Sequence, residues 1–269
     1  MLSKVVIPVA GLGTRVLPAS KAVPKEMLTV VDKPVIQHVV EEAIAAGFTE
    51  IILVTRSGKQ AIEDHFDHHY ELEAELARKG KTALLESIRD ILPAGVEVIS
   101  VRQPKALGLG HAVLCAAPIV GNEDFAVMLP DMLIDNAGQQ RDMSSMAAAW
   151  KTSGLGQIMV EGVPEDQVQR YGIVDCAGVA VSPGESADIR GMVEKPDVAS
   201  APSNLAIVGR YILPARIMSL LKDTQPGAGD EIQLTDALQT LLSESGLQAT
   251  PWQVNCSTAA TKLDCYKPM

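Results

Sequence analysis

Residues 10–25, AGLGTRVLPASKAVPK, gather groups suited to holding a run of phosphates. Gly11 and Gly13 let a backbone turn tightly and approach a phosphate closely, while Arg15 and Lys25 place two fixed cations beside it. A bare G-x-G is also an ordinary strand-to-helix turn. A dinucleotide site needs G-x-G-x-x-G running straight into a helix, and Leu17-Pro18 interrupts that continuation here. Elsewhere, the Gln103 amide donates and accepts at once, as a base edge requires, although a solvated strand-end residue reads the same way. Asp131 closes the apolar run FAVMLP, at the carboxyl end of a strand where open α/β sheets take ligands, although a turn residue or helix cap is the plainer local reading. Glu194-Lys195 sets an acceptor next to a point charge, in a VEKP segment that is commonly just a strand end.

The elements that must position these residues alternate. KVVIPVA (Lys4 to Ala10), EIILVT (Glu50 to Thr55), VEVISVRQ and FAVMLPD are apolar runs typical of strands buried on both faces. Between the first two, PVIQHVVEEAIAAG repeats apolar residues at helical spacing, with Pro34 at its start and Gly47 as its stop. Residues 67–92 are charged and helix-prone, and predict a solvated helical hairpin on the rim. After Trp150 come shorter strands, GQIMVEGV, YGIVDC, IRGMVEKP and SNLAIVGRYIL, then helices near Ile217 to Leu221 and Ile232 to Glu244. The pattern predicts an α/β fold, a Rossmann-like, mixed but mostly parallel sheet flanked by helices.

Composition narrows the function. With 33 acidic against 23 basic residues and a net charge of −10, a general nucleic-acid binder is not expected. No 18-residue apolar run predicts a membrane span, and MLSKVVIPVAG lacks the features of a secretory leader. Cys115, Cys176, Cys256 and Cys265 form no C-x-x-C, so a reduced, cytoplasmic protein is expected. His65 and His69 could bind a metal at i, i+4 spacing, but a solvated helix face is preferred.

The first loop becomes specific when Gly11 and Gly13 are joined by Thr14-Arg15, Pro18, Lys21 and Pro24-Lys25-Glu26. With PKEML, DKPVIQ, DHFD, YELE, VRQ, LGLGHAVLCA, LPD, YGIVD, VEKP, APSNLAIVGRY and PGAGDEIQLTDAL, the chain resembles the bacterial UTP–glucose-1-phosphate uridylyltransferases (UDP-glucose pyrophosphorylases) from about Lys4 to about Val254. The resemblance implies UTP and glucose 1-phosphate as partners and Mg²⁺ as cofactor. It implies that Arg15 and Lys25 hold the triphosphate. Ala10, Gly11, Glu26 and Gln103 would frame the uracil, Gly13 and Thr14 would line the nucleotide loop, and Gly108 would admit the base or ribose. A purely local reading of LGLG is a cap for a helix starting near His111. On the sugar side the resemblance implies Gly172, Glu194 and Lys195, the lysine facing the sugar phosphate, and at the metal Asp131. Asp230, Glu231 and Asp236 are read instead as acids at a helix N-terminus.

The expected organisation is one nucleotidyltransferase domain over residues 1–254, with a nucleotide-binding half (1–150), a sugar-phosphate half (151–254) and a divergent tail (255–269). With Thr261-Lys262-Leu263 of the tail NCSTAATKLDCYKPM aligned on the family's Asn-Lys-Leu, the resemblance implies Thr258 at the position of the family's second Mg²⁺-binding aspartate, in an Asp-Cys-Gly-like segment. Such an ending fits an aberrant or truncated reading frame. It also opens an alternative: a catalytically impaired homologue acting as a nucleotide-binding or regulatory partner. A homodimer or homotetramer is the family's expectation, one that depends on C-terminal helices not found in this sequence.

Overall fold

The computed structural model describes residues 2–132, 142–179 and 185–252. In chain order its elements begin with β1 (Lys4–Pro8), the short hairpin β2 (Thr29–Val30) and β3 (Lys33–Pro34), α1 (Val35–Ala45) and β4 (Glu50–Thr55). They continue with α2 (Gln60–Phe66), α3 (Tyr70–Arg78), α4 (Thr82–Arg89), β5 (Glu97–Arg102), α5 (Gly108–Cys115), α6 (Ala117–Val120) and β6 (Phe125–Met128). The remainder is α7 (Asp142–Ser153), β7 (Gly156–Gly162), β8 (Gly172–Asp175), β9 (Ala187–Asp188), β10 (Gly191–Glu194), β11 (Leu205–Leu213), α8 (Arg216–Asp223), α9 (Leu234–Ser245) and β12 (Leu247–Pro251).

One sheet runs in the order β5-β4-β1-β6-β11-β7-β12-β9, so strands from both halves of the sequence share it. β5, β4, β1 and β6 are parallel, β11 runs against them, and β7 and β12 resume the original sense. This is the expected mixed, mostly parallel sheet. Alternate residues along each strand feed two cores, as the twofold period of a strand dictates. Val6, Ile52 and Val127 pack with residues of α5, α8 and α9, while Val5, Ile51, Leu53 and Met128 pack with residues of α1, α2 and α7. Helices therefore cover both faces. The rim hairpin is also found, as α3 and α4 bridged by Glu73 to Arg89 at 2.7 Å.

Two features determine where the site forms. β7 pairs with Leu205 and Ala206 on one edge of β11. On the opposite edge β6 takes residues 210–213 and β8 takes 205–206, so β8 and its partner β10 continue the line that β6 begins. Second, the segment before α9 lies against the start of α5. Ile232 N–H donates to Leu107 O (2.8 Å) and Gly110 N–H to Ile232 O (2.9 Å).

This contact changes two expectations. The helix of LGLGHAVLCA starts at Gly108 rather than near His111, so its glycines lie inside the first turn. The last helix starts at Leu234 rather than Ile232, because Ile232 is engaged with α5. A Cβ at Gly110 would lie 2.7 Å from Ile232 O and 2.9 Å from Leu221 Cδ2. Alanine ordinarily gains about 1 kcal/mol over glycine within a helix. Overpacking against a backbone carbonyl costs about 1–3 kcal/mol and outweighs that gain. Gly110→Ala is therefore expected to lower the urea midpoint; a raised midpoint would show that the 231–232 segment gives way freely.

Candidate active site

Because β1, β4, β5 and β6 are parallel, the loops that follow them open on one side of the sheet. Those loops bring the glycine-rich segment, Lys59, Gln103 and Asp131 to a common edge, where open α/β sheets bind ligands. After β1 the chain forms short 3-10 turns at Thr14–Val16, Ala19–Lys21 and Lys25–Met27 instead of a helix, in keeping with Pro18. Ala10 is buried, and Gly11, Thr14 and Arg15 are exposed. Gly13 is held at φ 71°, its carbonyl accepting from Ser20 Oγ at 2.6 Å, and a Cβ there would meet Ser20 Cβ at 3.1 Å.

Lys25 Nζ lies 2.9 Å from Asp131 Oδ2, linking the loop after β1 to the loop after β6. Burial alone would raise the Asp131 pKa. The Lys25 charge and hydrogen bond, helped by a backbone N–H and by Arg15, outweigh it and hold the carboxyl below its usual range. Asp131 is thus held as a carboxylate, and it lies in the turn that follows β6, as its sequence also allowed. Glu26 is 1% exposed; its Oε2 accepts from Lys59 Nζ at 2.7 Å, and its Oε1 has no partner among the described residues.

Gln103 Nε2 donates to Gly108 O (3.1 Å) and lies 3.0 Å from His111 Nδ1, so the amide is oriented by α5. Gly108 has φ 90°, and a Cβ there would lie 2.7 Å from Glu231 Cβ and 2.9 Å from Ile232 O. Protein packing alone therefore accounts for glycine at this position. Of the three acids read as helix-terminal, Asp236 sits in the first turn of α9, whereas Asp230 and Glu231 precede that helix.

Gly172, Glu194 and Lys195, expected on the sugar side, form a second group beyond the end of β6. Gly172 and Glu194 are register partners in the β8–β10 pair, and a Cβ on Gly172 would come 3.1 Å from Glu194 Oε2. That oxygen accepts from Thr235 Oγ1 at 2.8 Å, and Glu194 Oε1 lies 3.2 Å from Lys195 Nζ. Lys195 has φ 48°, a left-handed backbone that costs a non-glycine residue free energy and that tends to occur at functional sites. Its N–H donates to Tyr171 O at 3.0 Å. Tyr211 joins the two groups: burial raises its pKa, and the charges of Glu194 and Asp131 raise it further.

Sequence reasoning missed Lys59, His111, Thr235 and Tyr211. It also missed Glu161 at the end of β7, whose carboxyl burial pushes up to about 7. His65 and His69 do not share a helix: His65 is on α2 against Gln37 (3.0 Å), and His69 caps α3 (3.2 Å to Leu72 N). Thr258 lies outside the described residues.

The fold and this edge define a nucleotidyl transferase, and the family profile of that description matches residues 4–253: the chain belongs to the nucleotidyl transferase family. Within it, the chain is 55% identical over 249 residues to UTP–glucose-1-phosphate uridylyltransferase of Haemophilus influenzae, covering 91% of this chain and 84% of that protein. Among solved structures, UTP-bound UGPase from Acinetobacter baumannii superposes with a TM-score of 0.89 at 51% identity, covering 99% of this chain and 92% of that one. A UDP-glucose pyrophosphorylase complexed with UDP-glucose gives a TM-score of 0.82 at 39% identity, covering 94% and 91%.

Lys25→Met is expected to move the Asp131 pKa upward; carboxyl-carbon NMR titration checks this, and an unchanged midpoint would refute the assigned cause. For Glu161 the folded pKa exceeds the unfolded one, so stability is highest below the ordinary glutamate range and falls as pH rises toward 7. Glu161→Gln should therefore raise the urea midpoint at pH 8 relative to the parent, with little difference at pH 4. An equal effect at both pH values would count against this linkage.

Proposed function

We propose that the chain is a UTP–glucose-1-phosphate uridylyltransferase, forming UDP-glucose and pyrophosphate. The observation that carries the reading is the Lys25–Asp131 pair at the mouth of the parallel strands. It sets a cation and an ionised carboxylate where a triphosphate and its metal have opposite needs. Arg15 and Lys25 bind the triphosphate and offset the charge that builds on the departing pyrophosphate. Ala10, Gly11, Glu26 and Gln103 frame the uracil, with Gly13 and Thr14 lining the loop and Gly108 shaping the wall beside Gln103. The unpartnered Glu26 Oε1 supports this, because a buried acceptor wants a donor such as an imide N–H.

Gly172 and Glu194 face the glucose, and Lys195 receives its phosphate. A phosphate oxygen of glucose 1-phosphate attacks the α-phosphorus in line with the leaving pyrophosphate. The attacking oxygen is already ionised, so no side chain has to take a proton, and catalysis consists of positioning and charge neutralisation. Mg²⁺ suits the donor set, since it takes one or two carboxylates and fills its shell with phosphate oxygens and water. Asp131 offers such a carboxylate. When bound, the ion supplies charge neutralisation at the phosphates. The 51% identity to a UTP-bound enzyme favours this reading over an impaired homologue.

Purified protein given UTP, glucose 1-phosphate and Mg²⁺ is expected to release pyrophosphate and form UDP-glucose, and EDTA should stop it. Lys195→Ala should cut kcat/KM for glucose 1-phosphate by about 10²-fold or more, the scale of losing one charge-stabilising group. No turnover with any hexose 1-phosphate, despite UTP binding, would restore the impaired-homologue alternative.

A further inference from the structure

We infer that Arg210, held by Glu42, is a positioning residue that fixes the Asp131 turn in its metal-binding conformation. Arg210 is 0% exposed, in the middle of β11. Its Nε and Nη2 donate to the Glu42 carboxylate on α1, at 3.1 and 2.8 Å. The other donors go to the turn that carries Asp131: Nη1 to Leu129 O at 2.9 Å and Nη2 to Met132 O at 2.7 Å. These carbonyls bracket Asp131. The same strand closes the turn from the other side, with Leu129 N–H donating to Gly209 O at 2.9 Å. Gly209 adopts φ 71°, and a Cβ there would lie 3.0 Å from the Leu129 side chain.

Core stability does not call for this arrangement. A buried ion pair is often replaceable by apolar residues of similar volume without loss, because desolvation consumes its attraction. What apolar residues cannot do is bind two carbonyls on either side of a carboxylate. The planar fork is also specific. A guanidinium reaches a carboxylate and two carbonyls at once, whereas an ammonium offers three donors from a single point. Glu42 fixes the rotamer of the fork and neutralises its charge, and Asp131 is left to pair with Lys25 and with what binds there.

The inference rests on Asp131 holding the metal, and the experiment separates the two. UTP affinity is measured by calorimetry in EDTA and again in Mg²⁺, and the ratio gives the gain due to the ion. Two variants are used, Arg210→Lys, which keeps the buried charge, and Arg210→Met with Glu42→Leu, which removes both charges. Asp131→Asn is the control. Outer partners of metal ligands are typically worth about 10–100-fold in metal affinity. In folded variants the Mg²⁺ gain is therefore expected to fall by about tenfold or more, with affinity in EDTA within about twofold of the parent. A general loosening of the site would instead weaken both measurements together, and that result overturns the inference. So does an undiminished gain in both variants, or loss of fold in both, which would make the pair a requirement of the core. An undiminished gain in Asp131→Asn would overturn the metal assignment itself.

Discussion

A parallel sheet delivers the carboxyl end of every strand to one side, and the active edge of this protein follows from that constraint. The glycine-rich loop, Lys59, Gln103 and Asp131 are far apart in sequence, and each is placed by the same geometric rule. The reversed strand β11 extends it. By accepting β6 along one part of an edge and β8 along the next, it places Glu194 beside the end of β6. Gly172, Glu194 and Lys195 thereby face an edge built from the loops that follow β1, β4, β5 and β6.

The charges are handled in pairs. The chain is strongly acidic, yet three lysines of this edge are each matched by a carboxylate: Lys25 by Asp131, Lys59 by Glu26 and Lys195 by Glu194. Pairing avoids leaving a half-buried cation without a partner before any phosphate arrives. It also makes binding an exchange, since an incoming phosphate competes with a protein carboxylate. The Lys59–Glu26 pair is the most buried of the three and is suited to structure, whereas Lys195 is largely exposed and free to change partner.

The sequence showed what lies within one element or one loop. The apolar runs identified the strands, Pro18 excluded a dinucleotide helix, and Asp131 at the end of FAVMLP marked the carboxyl end of a strand. Contacts between distant segments were hidden. Lys59 in TRSGKQ has no spacing that sets it apart from a surface lysine, and Thr235 is one threonine among several. Gly108 was read for an open approach, but its space is filled by residues more than a hundred positions later. Arg210 did leave a signal, as the one charged residue within LAIVGRYIL, and a charge inside a buried strand should prompt a search for its partner.

The reversed β11 also bears on synthesis. β6 leaves the ribosome with one edge paired to β1, and its other edge waits for β11, which begins at Leu205. Throughout that interval the nascent first half carries an unsatisfied, apolar strand edge of the kind that invites mispairing. β7 cannot cover it, because in the finished sheet β7 joins only through β11 and β12. Closure of the sheet centre therefore waits until residues 205–213 have been made.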